Sequence, residues 1–157
     1  ERMGAGIRVD TTGETAAEPV GVLEIVHGGH RPAVIAAQEV PGLIDELPVL
    51  AARAALGGAL EVSGAAELRV KESDRITALV TALRGMGVPA DERPEGFVVD
   101  GRVRPKGGQA DAAGDHRLVM AFALVALGAS GPSVMDSAGA VAVSYPAFEQ
   151  DLARLVP

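Results

Sequence analysis

Ten consecutive residues, Leu118 to Leu127, carry no polar side chain. Asp115 precedes the run as a helix cap and Gly128 ends it, so it reads as a helix that is apolar on every side. A helix of that kind has no face to offer water and belongs at the centre of a fold, fully enclosed. It is also far too short to cross a bilayer, which takes about 20 apolar residues. The chain of 157 residues, 48% of them apolar, is about the size of one domain. With three Phe, one Tyr and no Trp, its core must be built from Ala, Val, Leu and Gly, which suits backbones in close contact.

Two more helices and a closing one follow from the pattern. After Asp45, taken as an N-cap, a helix runs through Pro48 to Leu56 and stops at Gly57 or Gly58. A second starts at Ser73, buries the stripe Ile76, Leu79, Val80 and Leu83, and ends near Gly85-Met86-Gly87. A last helix spans Tyr145 to Leu155. Strands are expected at Val20–Val26, Leu60–Ser63, Phe97–Val99 and Ser133–Met135, with turns at the Gly and Pro clusters between them.

The order of elements repeats. Ala55-Leu56-Gly57 answers Ala126-Leu127-Gly128 at an offset of 71, and Ile76, Val80 and Leu83 answer Phe148, Leu152 and Leu155 at an offset of 72. That period is too long for a solenoid and suits a compact domain built from duplicated β/α units. The expected division is 1–42 as the tail of one unit, 43–101 as a second and 102–157 as a third. The opening Glu1-Arg2-Met3-Gly4 reads like the end of a helix and has no signal-peptide character, so a fragment of a longer, cytoplasmic protein is expected.

The net charge of −7 argues against a nucleic-acid partner held by a general basic field, and the lack of cysteine removes disulfides and thiolate chemistry from this chain. Any anion site must be local. The stretch Glu67-Leu68-Arg69-Val70-Lys71-Glu72-Ser73-Asp74-Arg75-Ile76 offers one, because Arg75 falls in the first turn of a helix. A cation there opposes the macrodipole, which favours anions by about 0.3–1 kcal/mol, so Arg75 is either solvated or compensated, for which a phosphate or carboxylate ligand would serve. Asp115-His116-Arg117 repeats the arrangement at the start of the apolar helix. Lys71 and Arg75 can clamp anionic groups while Glu72 transfers a proton, and Asp45 is either a cap or a general base. Glu46 reads as surface charge, and His27 and His30, in a Gly-rich turn without convergent carboxylates, do not read as a metal site.

The nonapeptide Leu68 to Ile76, followed by Leu79, Leu83 and Gly87, resembles the signature of the 5-enolpyruvylshikimate-3-phosphate (EPSP) synthase family. Ile44-Asp45-Glu46-Leu47-Pro48, Asp115-His116-Arg117 and Ser144-Tyr145-Pro146 resemble the same family in the same order. The resemblance implies an α/β (α+β) fold of βαβαββ units, with buried helices packed under mixed sheets, as in the enolpyruvyl transferases. It implies transfer of the enolpyruvyl group of phosphoenolpyruvate to the 5-hydroxyl of shikimate 3-phosphate, with release of phosphate and no metal or organic cofactor. Asp45 would take the hydroxyl proton and Glu72 would serve proton transfer at the methylene carbon. Lys71 would contact shikimate 3-phosphate, Arg75 and Arg117 would hold phosphoenolpyruvate, and His116 would line the site.

Two positions depart from the family pattern. Val143 stands where some members carry a lysine that contacts phosphoenolpyruvate, and Glu67 where some carry an asparagine that contacts shikimate 3-phosphate. The family's site lies between two domains, so this chain is expected to hold most of the C-terminal domain and half of the site, inactive without the other domain. No membrane partner is expected. The rival readings are a related transferase acting on UDP-N-acetylglucosamine and a non-catalytic binding module with the same fold.

Overall fold

The computed structural model describes residues 1–155. The chain opens with an antiparallel hairpin, β1 (Gly6–Thr15) and β2 (Glu18–Val26), whose residues are exposed on both faces. Then come β3 (Ala33–Ile35), α1 (Leu47–Ala55), β4 (Ala59–Val62), α2 (Arg75–Gly85), β5 (Ala90–Arg93) and β6 (Gly96–Asp100), in the order β-α-β-α-β-β. A second round starts with β7 (Gly108–Asp111), α3 (His116–Gly128), β8 (Ser133–Asp136) and α4 (Phe148–Leu155). In both rounds a 3-10 turn, Ala66–Val70 or Ala138–Val143, leads from the second strand towards the second helix.

The central sheet has the order β3-β4-β6-β5, with β3 and β4 parallel and the other pairs antiparallel, so it is mixed as expected. Alternation along its strands sets its inner face. Leu60 pairs with Val99 and Val62 with Phe97, and all four side chains are buried. The sheet reaches back to Ala33–Ile35, which lies ahead of residue 43, where the second unit was expected to begin. Three residues are too few to carry a readable period.

Beneath this sheet lies α2, with Ile76, Leu79, Val80 and Leu83 buried as the stripe predicts. Next to it, α1 buries Ala51, Ala52, Ala54 and Ala55 and packs on α3, where small side chains allow close approach. The chain just after β6 comes equally close to α1 at Gly101. A Cβ there would stand 1.9 Å from the carbonyl oxygen of Ala54 in α1.

Three expectations need correction. The apolar helix α3 is enclosed only on the side of Leu118, Val119, Ala121, Phe122 and Val125, while Leu127 is half exposed. An open apolar hollow of about 480 Å³ separates Val119, Ala123 and Leu127 of α3 from Phe148 and Leu152 of α4. The hairpin β5–β6 packs on α2, and among the described residues no strand pair covers α4 in the same way. Second, α2 starts at Arg75 with Asp74 as its cap, rather than at Ser73, because the Asp74 carboxylate reaches the Thr77 N–H. Third, the N-cap of α1 is Glu46, without a side-chain bond, and Asp45 does not cap the helix. No helix among the described residues is long and apolar enough to cross a membrane.

Candidate active site

Three helices begin at one place. α1 follows Asp45, α2 follows Lys71-Glu72-Ser73-Asp74, and α3 follows Asp115. The N-terminal ends bring partial positive charge and backbone N–H donors to the same region. At their meeting point stands Arg75, 1% exposed, the largest fully buried side chain of the chain's described residues.

Its guanidinium is bound along three edges by carboxylates from three segments. Nε donates to Asp115 Oδ2 at 2.6 Å, Nη1 donates to Asp45 Oδ1 at 3.0 Å, and Nη2 donates to Glu72 Oε2. The compensation that the position of Arg75 demands is thus supplied from within the protein. Burial alone would lower the Arg75 pKa, but the bonds to Asp115 and Asp45 and the charges of Asp115 and Glu72 outweigh it, so the guanidinium is held more firmly protonated than usual.

Asp115 is the deepest of the three carboxylates, fully buried. Its Oδ1 caps α3 by accepting from the N–H groups of Arg117 at 2.9 Å and Leu118 at 3.4 Å, while Oδ2 faces Arg75. One carboxylate therefore closes a helix start and neutralises the cation. Sequence reasoning found the cap and missed the ion pair, since Arg75 lies 40 positions away.

Asp45 and Glu72 occupy adjacent corners of the same guanidinium and stay open to solvent, at 39% and 51% exposure. Asp45 also faces Arg117, whose Nη2 lies 3.5 Å from Oδ2 and whose Nη1 donates to the Asp45 carbonyl at 3.2 Å. Partial burial pushes the Asp45 carboxyl up. The hydrogen bond from Arg75 and the charges of Arg117, Arg75 and Lys71 more than reverse this, holding it below the usual carboxylate range. Asp45 is therefore ionised at neutral pH.

The remaining cations flank this pair. Arg117 is about one-third exposed and can turn further donors outward. The Lys71 ammonium lies 2.7 Å from Glu67 Oε1, a pairing four positions apart that raises its pKa despite partial burial. Glu67, one of the two departures from the family pattern, thus holds Lys71 from the neighbouring turn. His116 opens α3 beside Asp115 and is half-buried. Val143, the other departure, ends the second 3-10 turn and is 82% exposed. Among the described residues no group of three or more His, Asp or Glu side chains is arranged to hold a metal ion.

Comparison with known proteins gives the family. The family model for EPSP synthase (3-phosphoshikimate 1-carboxyvinyltransferase) matches residues 1–152. The chain belongs to the EPSP synthase family. A 3-phosphoshikimate 1-carboxyvinyltransferase of Lactiplantibacillus plantarum is 45% identical over 157 residues, covering 98% of this chain and 36% of the relative. One from Carboxydothermus hydrogenoformans is 42% identical, covering 99% of this chain and 36% of the relative. The solved EPSP synthase of Acinetobacter baumannii superposes with a TM-score of 0.87 at 32% identity, over 98% of this chain and 36% of that one. The chain thus has the enolpyruvyl transferase fold and spans 36% of the length of these EPSP synthases.

Proposed function

We propose that the protein to which this chain belongs is a 3-phosphoshikimate 1-carboxyvinyltransferase, and that the cluster around Arg75 is this chain's share of its active site. The single observation that carries the reading is the convergence of Asp45, Glu72, Arg75 and Arg117 at three helix starts, in a member of the EPSP synthase family. The substrates are shikimate 3-phosphate and phosphoenolpyruvate, the location is cytoplasmic, and neither nucleic acid nor membrane takes part. The chain is read as the tail of one βαβαββ unit, a second unit that opens at β3 rather than at residue 43, and part of a third beyond residue 101, all in a C-terminal domain.

The chemistry asks for a base, an acid and cations. The 5-hydroxyl adds to the enol carbon of phosphoenolpyruvate while its proton leaves and the methylene carbon gains one. Loss of phosphate and of a methyl proton then restores the carbon–carbon double bond, now as an enol ether on the 5-oxygen. Asp45, ionised by its neighbours, is suited to accept the hydroxyl proton, and Glu72 to exchange the proton at carbon. Lys71 and Arg117 meet the anionic groups of the substrates, with His116 lining the same wall. Arg75 has a double part. It fixes Asp45 and Glu72 side by side, and it engages phosphoenolpyruvate by exchanging one of these exposed carboxylates for the ligand's.

The other wall of the site is assigned to the N-terminal domain, so the chain alone is expected to be inactive. Phosphate release from shikimate 3-phosphate and phosphoenolpyruvate is measured with this chain alone and with the full-length protein. Activity in the full-length protein only is the expected result. Turnover by the chain alone would overturn the divided site, and none by either would overturn the assignment of the reaction.

A further inference from the structure

The residues Lys71 to Asp74 belong to no helix or strand, yet they carry two of the proposed site groups. Such a segment needs an anchor, because backbone outside regular structure is held only by what its side chains reach. Val70 is 80% exposed and contributes little. The residue just before it does the opposite.

Arg69 spends its whole side chain on contacts. Nε donates to the Pro94 carbonyl at 2.7 Å, in the turn between β5 and β6, and Nη2 to the carbonyl of Arg93, the last residue of β5, at 2.6 Å. Nη1 donates to Asp74 Oδ2 at 2.9 Å, to Glu92 Oε1 at 3.0 Å and to Thr77 Oγ1 at 3.2 Å. Asp74 in turn caps α2 by accepting from the Thr77 N–H at 3.1 Å. One guanidinium therefore ties together the 3-10 turn, the start of α2 and the hairpin of the central sheet. The Lys71–Glu72 segment is strung between Arg69 and Asp74, two ends of the same network.

The geometry points to Arg69 as a positioning residue of the active site: its fork pins the Lys71–Glu72 segment to the β5–β6 turn and so fixes where Glu72 stands. This rests on the proposed transferase function for its kinetic consequence and on the contacts alone for the anchoring. Arg69 touches no substrate group and acts only through the segment. Lysine cannot replace it, since a single ammonium cannot serve two carbonyls and two carboxylates on separate edges.

The test is made on the full-length protein with Arg69→Lys and Arg69→Met. Hydrogen exchange over residues 66–74 is expected to quicken in both, with the global unfolding midpoint nearly kept for Arg69→Lys. Displacement of a catalytic group by about 1 Å can cost roughly 100-fold, so kcat should fall by roughly 10–100-fold in both variants. In a Glu72→Gln background the same substitutions should cost less than about threefold further, because their effect passes through Glu72. Unchanged exchange over 66–74 would overturn the anchor. Full rescue by lysine, or losses that multiply independently of Glu72→Gln, would overturn the positioning role. If the unsubstituted protein releases no phosphate, the transferase reading fails, and the exchange result still decides the anchor.

Discussion

Replacing Arg75 by methionine, which keeps an unbranched apolar stem but stops short of the guanidinium, removes the cation and leaves three carboxylates facing one another. The cost follows from their burial. Asp45 and Glu72 are exposed enough for water to take over, so each pairing contributes about 0–1 kcal/mol. Asp115 is fully buried and would be left charged without a counter-ion, a loss that usually costs about 3–5 kcal/mol. Its two backbone N–H donors remain, which places the expected cost near the lower end, about 3 kcal/mol. In urea, with a slope of about 1–3 kcal/mol/M, the midpoint should fall by roughly 1–3 M. Adding Asp115→Asn, which keeps an oxygen to cap α3, should cost far less in the Arg75→Met background than alone. A midpoint shift equivalent to less than about 1 kcal/mol, or full additivity of the two substitutions, would refute the view of Arg75 and Asp115 as a coupled buried pair.

Two further outcomes follow from the packing and the charges. Asp45 and Asp74 have folded-state pKa values below their ordinary ones. For Asp45, burial raises the value and Arg75, Arg117 and Lys71 together lower it by more. For Asp74, burial raises it and Thr77 and Arg69 together lower it by more. Their contribution is complete above the unfolded carboxyl range, about pH 4, and is lost as pH falls through the folded values, so the urea midpoint should drop below about pH 4, and less steeply in Asp45→Asn. Gly101→Ala drives a Cβ to 1.9 Å from the Ala54 carbonyl oxygen, a backbone atom that cannot give way locally. The variant should lose about 1–3 kcal/mol by urea denaturation, and an unchanged midpoint would contradict the close contact with the end of α1.

The helices were legible because their burial is written locally. The stripe Ile76, Leu79, Val80 and Leu83 and the uniform apolar run from Leu118 marked α2 and α3 without outside help. The strands β1, β3, β5 and β7 were not: Gly6–Thr15 is exposed along its whole length, Ala33–Ile35 is too short to show a period, and Ala90–Arg93 and Gly108–Asp111 are largely polar, defined by their partners. The enclosure of α3 was overestimated because an apolar surface states what must be covered and not what covers it. At the site, residue types and spacing picked out Asp45, Glu72, Arg75 and Arg117, whereas their bonds were hidden by distance along the chain. Asp45 looked like a cap because its neighbours begin a helix. Its true partners are Arg75, 30 positions on, and Arg117, 72 positions on. The repeat of a cation at a helix start, at Arg75 and again at Arg117, pointed to two residues that the structure brings to the same carboxylate, Asp45. Arg75 is buried and neutralised from within, whereas Arg117 is about one-third exposed.

The most direct test of the site is phosphate release by the full-length protein carrying Asp45→Asn or Glu72→Gln. A positioned acid or base contributes about 100- to 10,000-fold, so each variant should lose at least about 100-fold in kcat while its unfolding midpoint stays near that of the parent. Retention of activity within about tenfold in either variant, with the fold intact, would contradict the assignment of the Arg75-bound carboxylates to catalysis.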